Sequence, residues 1–258
     1  MELLIGNGRT TILIAKRNSG KSFLLRHLVN CEIETFDKIF VISGTESINH
    51  FYVNSGLVDP KCCFDNYDEN WTAKLMELMG KCNGTKPEDE KKHVLLIYDD
   101  IIGNTDLHHA SPSLKSLFIK GRHYKISILI TTQHLTSIPP ICRTNCDAIV
   151  CGKLNNASIN ILSNEFISGD ITNKDFLKMY NKNTNNYNFV VIQNNSTTDG
   201  KLDSIYGVIK TPEEEMKTEK VKQKKRKVEN TIWGALFSSK HKKKVTIIPK
   251  IIKSAFDS

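Results

Sequence analysis

Residues 15–22 read Ala-Lys-Arg-Asn-Ser-Gly-Lys-Ser, with Phe23 next. Gly20, Lys21 and Ser22 stand where the phosphate-loop pattern G-x-x-x-x-G-K-[ST] has its last three residues, and Ala15 stands in place of the first glycine. A loop between a strand and a helix turns successive backbone N–H groups inward, at the positive end of the helix dipole, where phosphate oxygens accept from them. Gly20 permits the close approach, Lys21 would reach the β- and γ-phosphates, and Ser22 would hold Mg²⁺ through its hydroxyl. Ala15, Lys16, Arg17, Asn18, Ser19, Gly20, Lys21, Ser22 and Phe23 are therefore the expected ATP contacts, with Ala15 in the last position of the preceding strand.

A second stretch, Val94-Leu95-Leu96-Ile97-Tyr98, ends in Asp99 and Asp100. Adjacent carboxylates at the end of a buried strand are costly unless a cation meets them, and Mg²⁺ is the obvious one. Asp99 would serve the metal's water shell as a Walker B acid, and Asp100 would orient and polarise the attacking water. Thr131-Thr132-Gln133 closes a third apolar run. In a parallel sheet the carboxyl ends share one edge, so Gln133 is expected beside Ser22 and Asp99, where an amide can hold a water or sense the γ-phosphate.

The elements that must position these residues follow from apolar patterning. Buried strands are expected at 10–15, 37–43, 93–98, 125–132 and 148–151, and a final pair at 188–193 and 204–210 is joined by a turn at Gly200. Helices are expected at 22–30, 68–80, 113–121, 157–166 and 173–180, with a polar loop over 81–92. Apolar strands alternating with helices imply an α/β fold with a mainly parallel central sheet covered on both faces.

The 258 residues carry 36 Lys/Arg against 28 Asp/Glu, a formal net charge of +8. That charge is not spread evenly: residues 213–258 hold 13 basic against 6 acidic side chains, leaving 23 against 22 in residues 1–212. The expected division is an ATPase domain at 1–212 and a basic, partly disordered tail at 213–258. Lys222 to Lys227 and Lys240 to Lys244 could bind DNA phosphates by counterion release, act as a nuclear address, or simply aid solubility. Trp233, Leu236 and Phe237 lie between the two clusters as an apolar island able to anchor to a partner or fold back on the core.

Seven cysteines without a Cys-x-x-Cys pair read as reduced, mostly buried thiols in a reducing intracellular compartment. No basic-then-apolar leader precedes the first motif, and the apolar runs fall short of the ~18 residues of a membrane span. A soluble, unprocessed chain is expected.

Five elements taken in order make a resemblance specific: Ser19-Gly20-Lys21-Ser22, Ile97-Tyr98-Asp99-Asp100, Gly121-Arg122-His123, Thr131-Thr132-Gln133, and Ile138-Pro139-Pro140 with Arg143 and Asn145. Over residues 10–152 the chain resembles the poxvirus-type genome-packaging ATPases of large DNA viruses, within the FtsK-HerA superfamily of P-loop NTPases. The resemblance implies an ASCE-type, RecA-like core with an extra strand between the phosphate-loop and acidic strands. It also implies a homo-oligomeric ring, a pentamer or hexamer, that drives double-stranded DNA into a preformed capsid. A trans-acting arginine is implied too, with Arg122 or Arg143 as candidates, as are a capsid or portal partner, a cytoplasmic virus factory and association with the virion. Lys224-Lys225-Arg226-Lys227 keeps the nucleus open. A nucleotide or nucleoside kinase and a nucleotide-binding scaffold with little turnover are the rival readings; Ala15, and Asp100 in place of a longer Glu, keep the scaffold open.

Overall fold

A computed structural model describes residues 4–100, 111–167, 171–194 and 206–210. The expected tail at 213–258, with both basic clusters and the apolar island, lies outside the described residues, as does the Gly200 turn. In chain order the elements are β1 (Thr10–Ile14), α1 (Lys21–Glu32), β2 (Lys38–Ser43), α2 (Glu46–Asn49), α3 (Phe51–Asn54), β3 (Cys63–Phe64), α4 (Glu69–Asn83) and β4 (Val94–Asp99). They continue with α5 (Pro112–Lys120), β5 (Ile126–Thr132), α6 (Pro140–Thr144), β6 (Ala148–Cys151), α7 (Asn156–Phe166), α8 (Asn173–Asn183), β7 (Asn188–Gln193) and β8 (Tyr206–Lys210).

The strands form one sheet in the order β3-β2-β4-β5-β1-β6-β7-β8. All pairings from β3 to β6 are parallel, and β7 and β8 add antiparallel at one side. β5 lies between β1 and β4, which is the inserted strand expected between the loop-bearing and acid-bearing strands. Every residue of β1 and β5 is buried. Unbroken β-branched and aliphatic runs belong in such central positions, where both faces of a strand are covered.

Several elements run past their expected ends: α1 by two residues to Glu32, β4 by one to Asp99, and two helices by three. α4 continues to Asn83 rather than stopping at Gly80, because the Asn83 amide exchanges two bonds with the Lys92 backbone, at 2.8 and 2.9 Å. α8 continues from Tyr180 to Asn183, whose side chain donates to Met179 O at 2.9 Å. Three short elements between Gly44 and Phe64 have no counterpart in the sequence reading, since four- and two-residue pieces are too brief to show a period. Five of the seven cysteines are buried.

Candidate nucleotide site

The six parallel strands bring their carboxyl ends to one edge. Register aligns Ser43 with Asp99, and Asp99 with Thr131, while Ile14 pairs with Thr132. Ala15 N donates to Thr132 O at 3.2 Å, and Lys16 N donates to Lys153 O at 3.1 Å, so the 15–20 loop leaves the sheet from between β5 and β6. Asn18 (φ 56°) and Gly20 (φ 85°) take left-handed conformations that curl the loop back. Ser19 Oγ closes it by donating to Lys16 O at 2.6 Å.

Ala15 sits just beyond β1, fully buried. Its methyl is tolerated because Gly152 faces it: a Cβ on Gly152 would lie 2.7 Å from Ala15 Cβ. The glycine missing from the loop has in effect moved to the neighbouring strand end.

α1 begins at Gly20, which offers no side-chain acceptor, and its first turn contains no acidic residue. Four other helices are closed differently. Asp68, Ser111, Asn155 and Thr172 each cap a first turn through a side-chain oxygen. The amide groups that such a cap would satisfy remain open on α1, directed at the end of the sheet.

There they meet a cavity of about 290 Å³ lined by residues 16–23, Thr45, Asn49, Phe51, Asp99, Asp100 and Gln133. Asp100 is held at φ 48° just past β4. Its N–H donates to Thr131 O at 3.2 Å, and Gln133 Nε2 donates to its Oδ2 at 2.8 Å. Thr131 Oγ1 donates to Asp99 Oδ1. Lys21 Nζ lies 3.9 Å from Asp100 Oδ1, too far for a good hydrogen bond, and both atoms are buried without a hydrogen-bond partner. Buried charged atoms that face each other without a hydrogen bond cost stability unless a ligand satisfies them.

All the loop residues expected to contact ATP therefore gather at one cavity with Asp99, Asp100 and Gln133, apart from buried Ala15 behind them. The two arginines do not join them. Arg122 is exposed just after α5, at the amino end of β5. Arg143 is buried, its Nε donating to Glu165 Oε2 at 2.7 Å, its Nη2 donating to Glu165 Oε1, and its Nη1 donating to Ile138 O at 2.5 Å. That guanidinium is spent on tying α7 to the Ile138-Pro139 turn.

Thr45, Asn49 and Phe51 complete the wall and escaped the sequence reading. Buried Glu46 shapes their segment by accepting from Tyr52 N at 3.1 Å and Val53 N at 3.0 Å. Fully buried Tyr52 has its phenol pushed well up by burial and by the negative charge of Asp99 and Glu46. An acidic residue followed by polar Ser, Asn and His has no distinctive pattern; only its place after a buried strand could have flagged it.

Among the described residues no helix is long and apolar enough to cross a membrane, and no cluster of three His, Cys, Asp or Glu could hold a metal.

Protein 075L of Invertebrate iridescent virus 6, itself uncharacterized, is 30% identical over 197 residues, covering 75% of this chain and 74% of that protein. Uncharacterized protein 088R of Invertebrate iridescent virus 3 is 26% identical over 200 residues, covering 77% and 74%. Among solved structures, the genome packaging NTPase B204 of Sulfolobus turreted icosahedral virus 2 bound to AMP superposes with a TM-score of 0.55 at 15% identity, over 80% of this chain and 98% of B204. B204 from Sulfolobus turreted icosahedral virus, named as a DNA-packaging ATPase, gives 0.51 at 18% identity, over 79% and 97%. These likenesses show a shared P-loop ATPase fold. The Poxvirus A32 protein family matches residues 3–222, and this chain belongs to it.

Proposed function

We infer that this protein is a viral DNA-packaging ATPase, made in infected cells. Its family membership and the packaging NTPases that share its fold support the reading. The observation that carries the site assignment is the pair of buried, unpartnered atoms, Lys21 Nζ and Asp100 Oδ1, facing each other where the uncapped α1 meets the sheet edge. ATP is the ligand that this arrangement suits, as it suits the AMPPCP and ATP-gammaS held by B204. Phosphates would take the open amides of 18–22 and the Lys21 ammonium.

The donor set also fits Mg²⁺. This cation binds through one or two carboxylates plus substrate phosphates rather than in a protein cage. Ser22 and Asp99 would hold it, and it would supply charge neutralisation between the β- and γ-phosphates. Asp100, fixed by Gln133, is the residue to orient the attacking water, and Gln133 is in place to respond to the γ-phosphate.

Arg122 is the stronger candidate for the arginine that acts in trans. β5 separates it from Gln133 by seven residues, about 23 Å of strand, so it cannot serve its own site. A neighbouring copy could receive it, which is the arrangement of a ring. Arg143 is already engaged within its own chain. Duplex DNA is the proposed cargo, gripped by residues of the body with added affinity from the tail at 213–258, and a capsid or portal protein is the proposed docking partner.

Phosphate release by the full chain, measured with and without duplex DNA, tests the reading. DNA-stimulated hydrolysis lost in Lys21→Ala and Asp100→Asn is expected. Phosphoryl transfer to a nucleoside, or tight ATP binding without turnover, would overturn it. Removing residues 213–258 is expected to weaken salt-sensitive DNA binding while basal hydrolysis persists.

A further inference from the structure

The amino edge of the sheet contains a connected set of contacts that leads from α1 to Arg122. Glu32, the last residue of α1, is buried, and its carboxylate accepts from three successive amides: Leu4 at 2.7 Å, Ile5 at 3.1 Å and Gly6 at 2.6 Å. These hold the start of a turn in which Arg9 N donates to Gly6 O at 3.1 Å, with Asn7 (φ 56°) and Gly8 (φ 74°) left-handed. The turn is fastened to β5: Gly8 N donates to Ser127 Oγ at 3.0 Å, and Ile128 N donates to Arg9 O at 2.8 Å. Gly8 then lies flat against Arg122. A Cβ placed on it would be 2.8 Å from Arg122 Cα, 3.1 Å from its Cβ and 3.3 Å from its carbonyl oxygen.

Two constraints thus meet at Gly8. Its φ disfavours a side chain, and so does the backbone behind it. An exposed arginine that merely aided solubility would need no such backing, because a flexible surface side chain tolerates a shift of an ångström. An arginine that must meet a phosphate does not, since a misplacement of about 1 Å costs on the order of 10²-fold in rate.

We propose that Gly8 and Glu32 are positioning residues for Arg122, setting where each subunit presents its guanidinium to the nucleotide site of the next. The proposal rests on Arg122 acting in trans. Glu32 and the phosphate-facing first turn are the two ends of one twelve-residue helix. The element that senses phosphates in one site therefore also anchors the arginine offered to another.

The test uses full-length subunits, purified singly and mixed with Lys21→Ala subunits, which have a dead site but an intact Arg122. Gly8→Ala introduces both the strain and the clash. Gly8→Asn keeps the clash and relieves the strain, because asparagine visits left-handed φ readily, and it secures a folded variant. Both are expected to bind ATP with unchanged affinity and to lose turnover about 10²-fold. Mixing with Lys21→Ala is expected to restore turnover, as is also expected for Arg122→Ala. A merely structural lesion would not be rescued in this way.

If Arg122→Ala itself fails to be rescued, the trans reading falls, and the proposal with it. If Arg122→Ala is rescued but the Gly8 variants keep full turnover, or lose it beyond rescue, the positioning role alone is overturned.

Discussion

The two edges of the sheet treat polar groups in opposite ways. At the amino edge, carboxylates are consumed by backbone amides: Glu32 takes three, Asp37 takes His93 N at 2.8 Å along with the Lys92 ammonium at 3.0 Å, and Asp147 takes Thr10 N at 2.7 Å. Each bond ties down a strand start or the chain entering one. At the carboxyl edge, Lys21 Nζ and Asp100 Oδ1 are buried with nothing to bond, and α1 begins without a cap. The first edge spends its carboxylates on the fold; the second does so at Glu46 but leaves Lys21 Nζ and Asp100 Oδ1 without hydrogen-bond partners and the start of α1 uncapped. An edge that leaves such groups open is organised around something to be bound.

The sharpest way to break that contrast is to neutralise one residue at each edge. Asp100→Asn is expected to reduce ATP turnover by about 10³-fold or more if, as proposed, it orients the attacking water. The same change should lower the thermal midpoint only slightly, since an amide oxygen still accepts from Gln133 and the counter-charge that Lys21 loses is 3.9 Å away on a side chain 29% exposed. Turnover and a melting curve on one preparation suffice. If Asp100→Asn unfolds the protein, the carboxyl edge is structural after all.

Glu32→Ala should do the reverse. Three buried amides would lose their acceptor, a cost of about 3–5 kcal/mol given ~1–3 for each unsatisfied group and partial hydration. Urea unfolding reads this directly, and a change within 1 kcal/mol would remove the amino edge from the comparison.

The carboxyl edge was the more legible of the two in the sequence. Lys21, Ser22 and the Asp99-Asp100 pair are chemical exceptions inside or beside apolar runs, and strand logic alone puts Gln133 beside them. The parallel core was legible for the same reason, since β1, β4 and β5 are continuous apolar stretches that fit nothing but buried strands. Glu32, Asp37 and Asp147 looked like ordinary charged residues at element ends. Their partners are amides 26 to 137 positions away in sequence, and no local pattern encodes such a pairing. The wall of Thr45, Asn49 and Phe51 was invisible because its helices are one turn long. In sequence Arg143 is as plausible a group for a neighbouring subunit as Arg122, and only the position of Glu165, 22 residues on, reveals its use within the chain.

Arg143 therefore sharpens the comparison in a third place. Arg143→Met keeps the aliphatic stem and leaves Glu165 and Ile138 O without their donor. A loss of about 2 kcal/mol is expected, below the full cost of breaking a buried pair because the Glu165 side chain is 27% exposed and can rehydrate. Turnover per folded molecule should persist. Loss of turnover at full stability, rescued by Lys21→Ala subunits, would instead return Arg143 to candidacy as the arginine acting in trans.

The smallest effect concerns a carboxylate that belongs to the fold but lies on the flank of the sheet. Glu69 opens α4 and joins it to α5, accepting from Ser113 N at 2.8 Å and Tyr67 Oη at 2.7 Å. Burial alone would raise its pKa. The hydrogen bonds from Ser111, Ser113 and Tyr67 outweigh that and hold it at about 2, against 4.5 for an ordinary glutamate. A folded-state pKa below the unfolded one means stability that is complete above pH 4.5 and is lost as the pH falls through that value towards 2. Wild type and Glu69→Gln should therefore differ in urea midpoint near neutral pH, and the gap should narrow as the pH falls below about 4.5. A gap that stays constant with pH would mean that the amide replaces the carboxylate as acceptor and that charge contributes nothing at this joint. The α4–α5 contact would then depend on geometry alone, unlike the amino edge, where Glu32 needs both carboxylate oxygens to reach three amides.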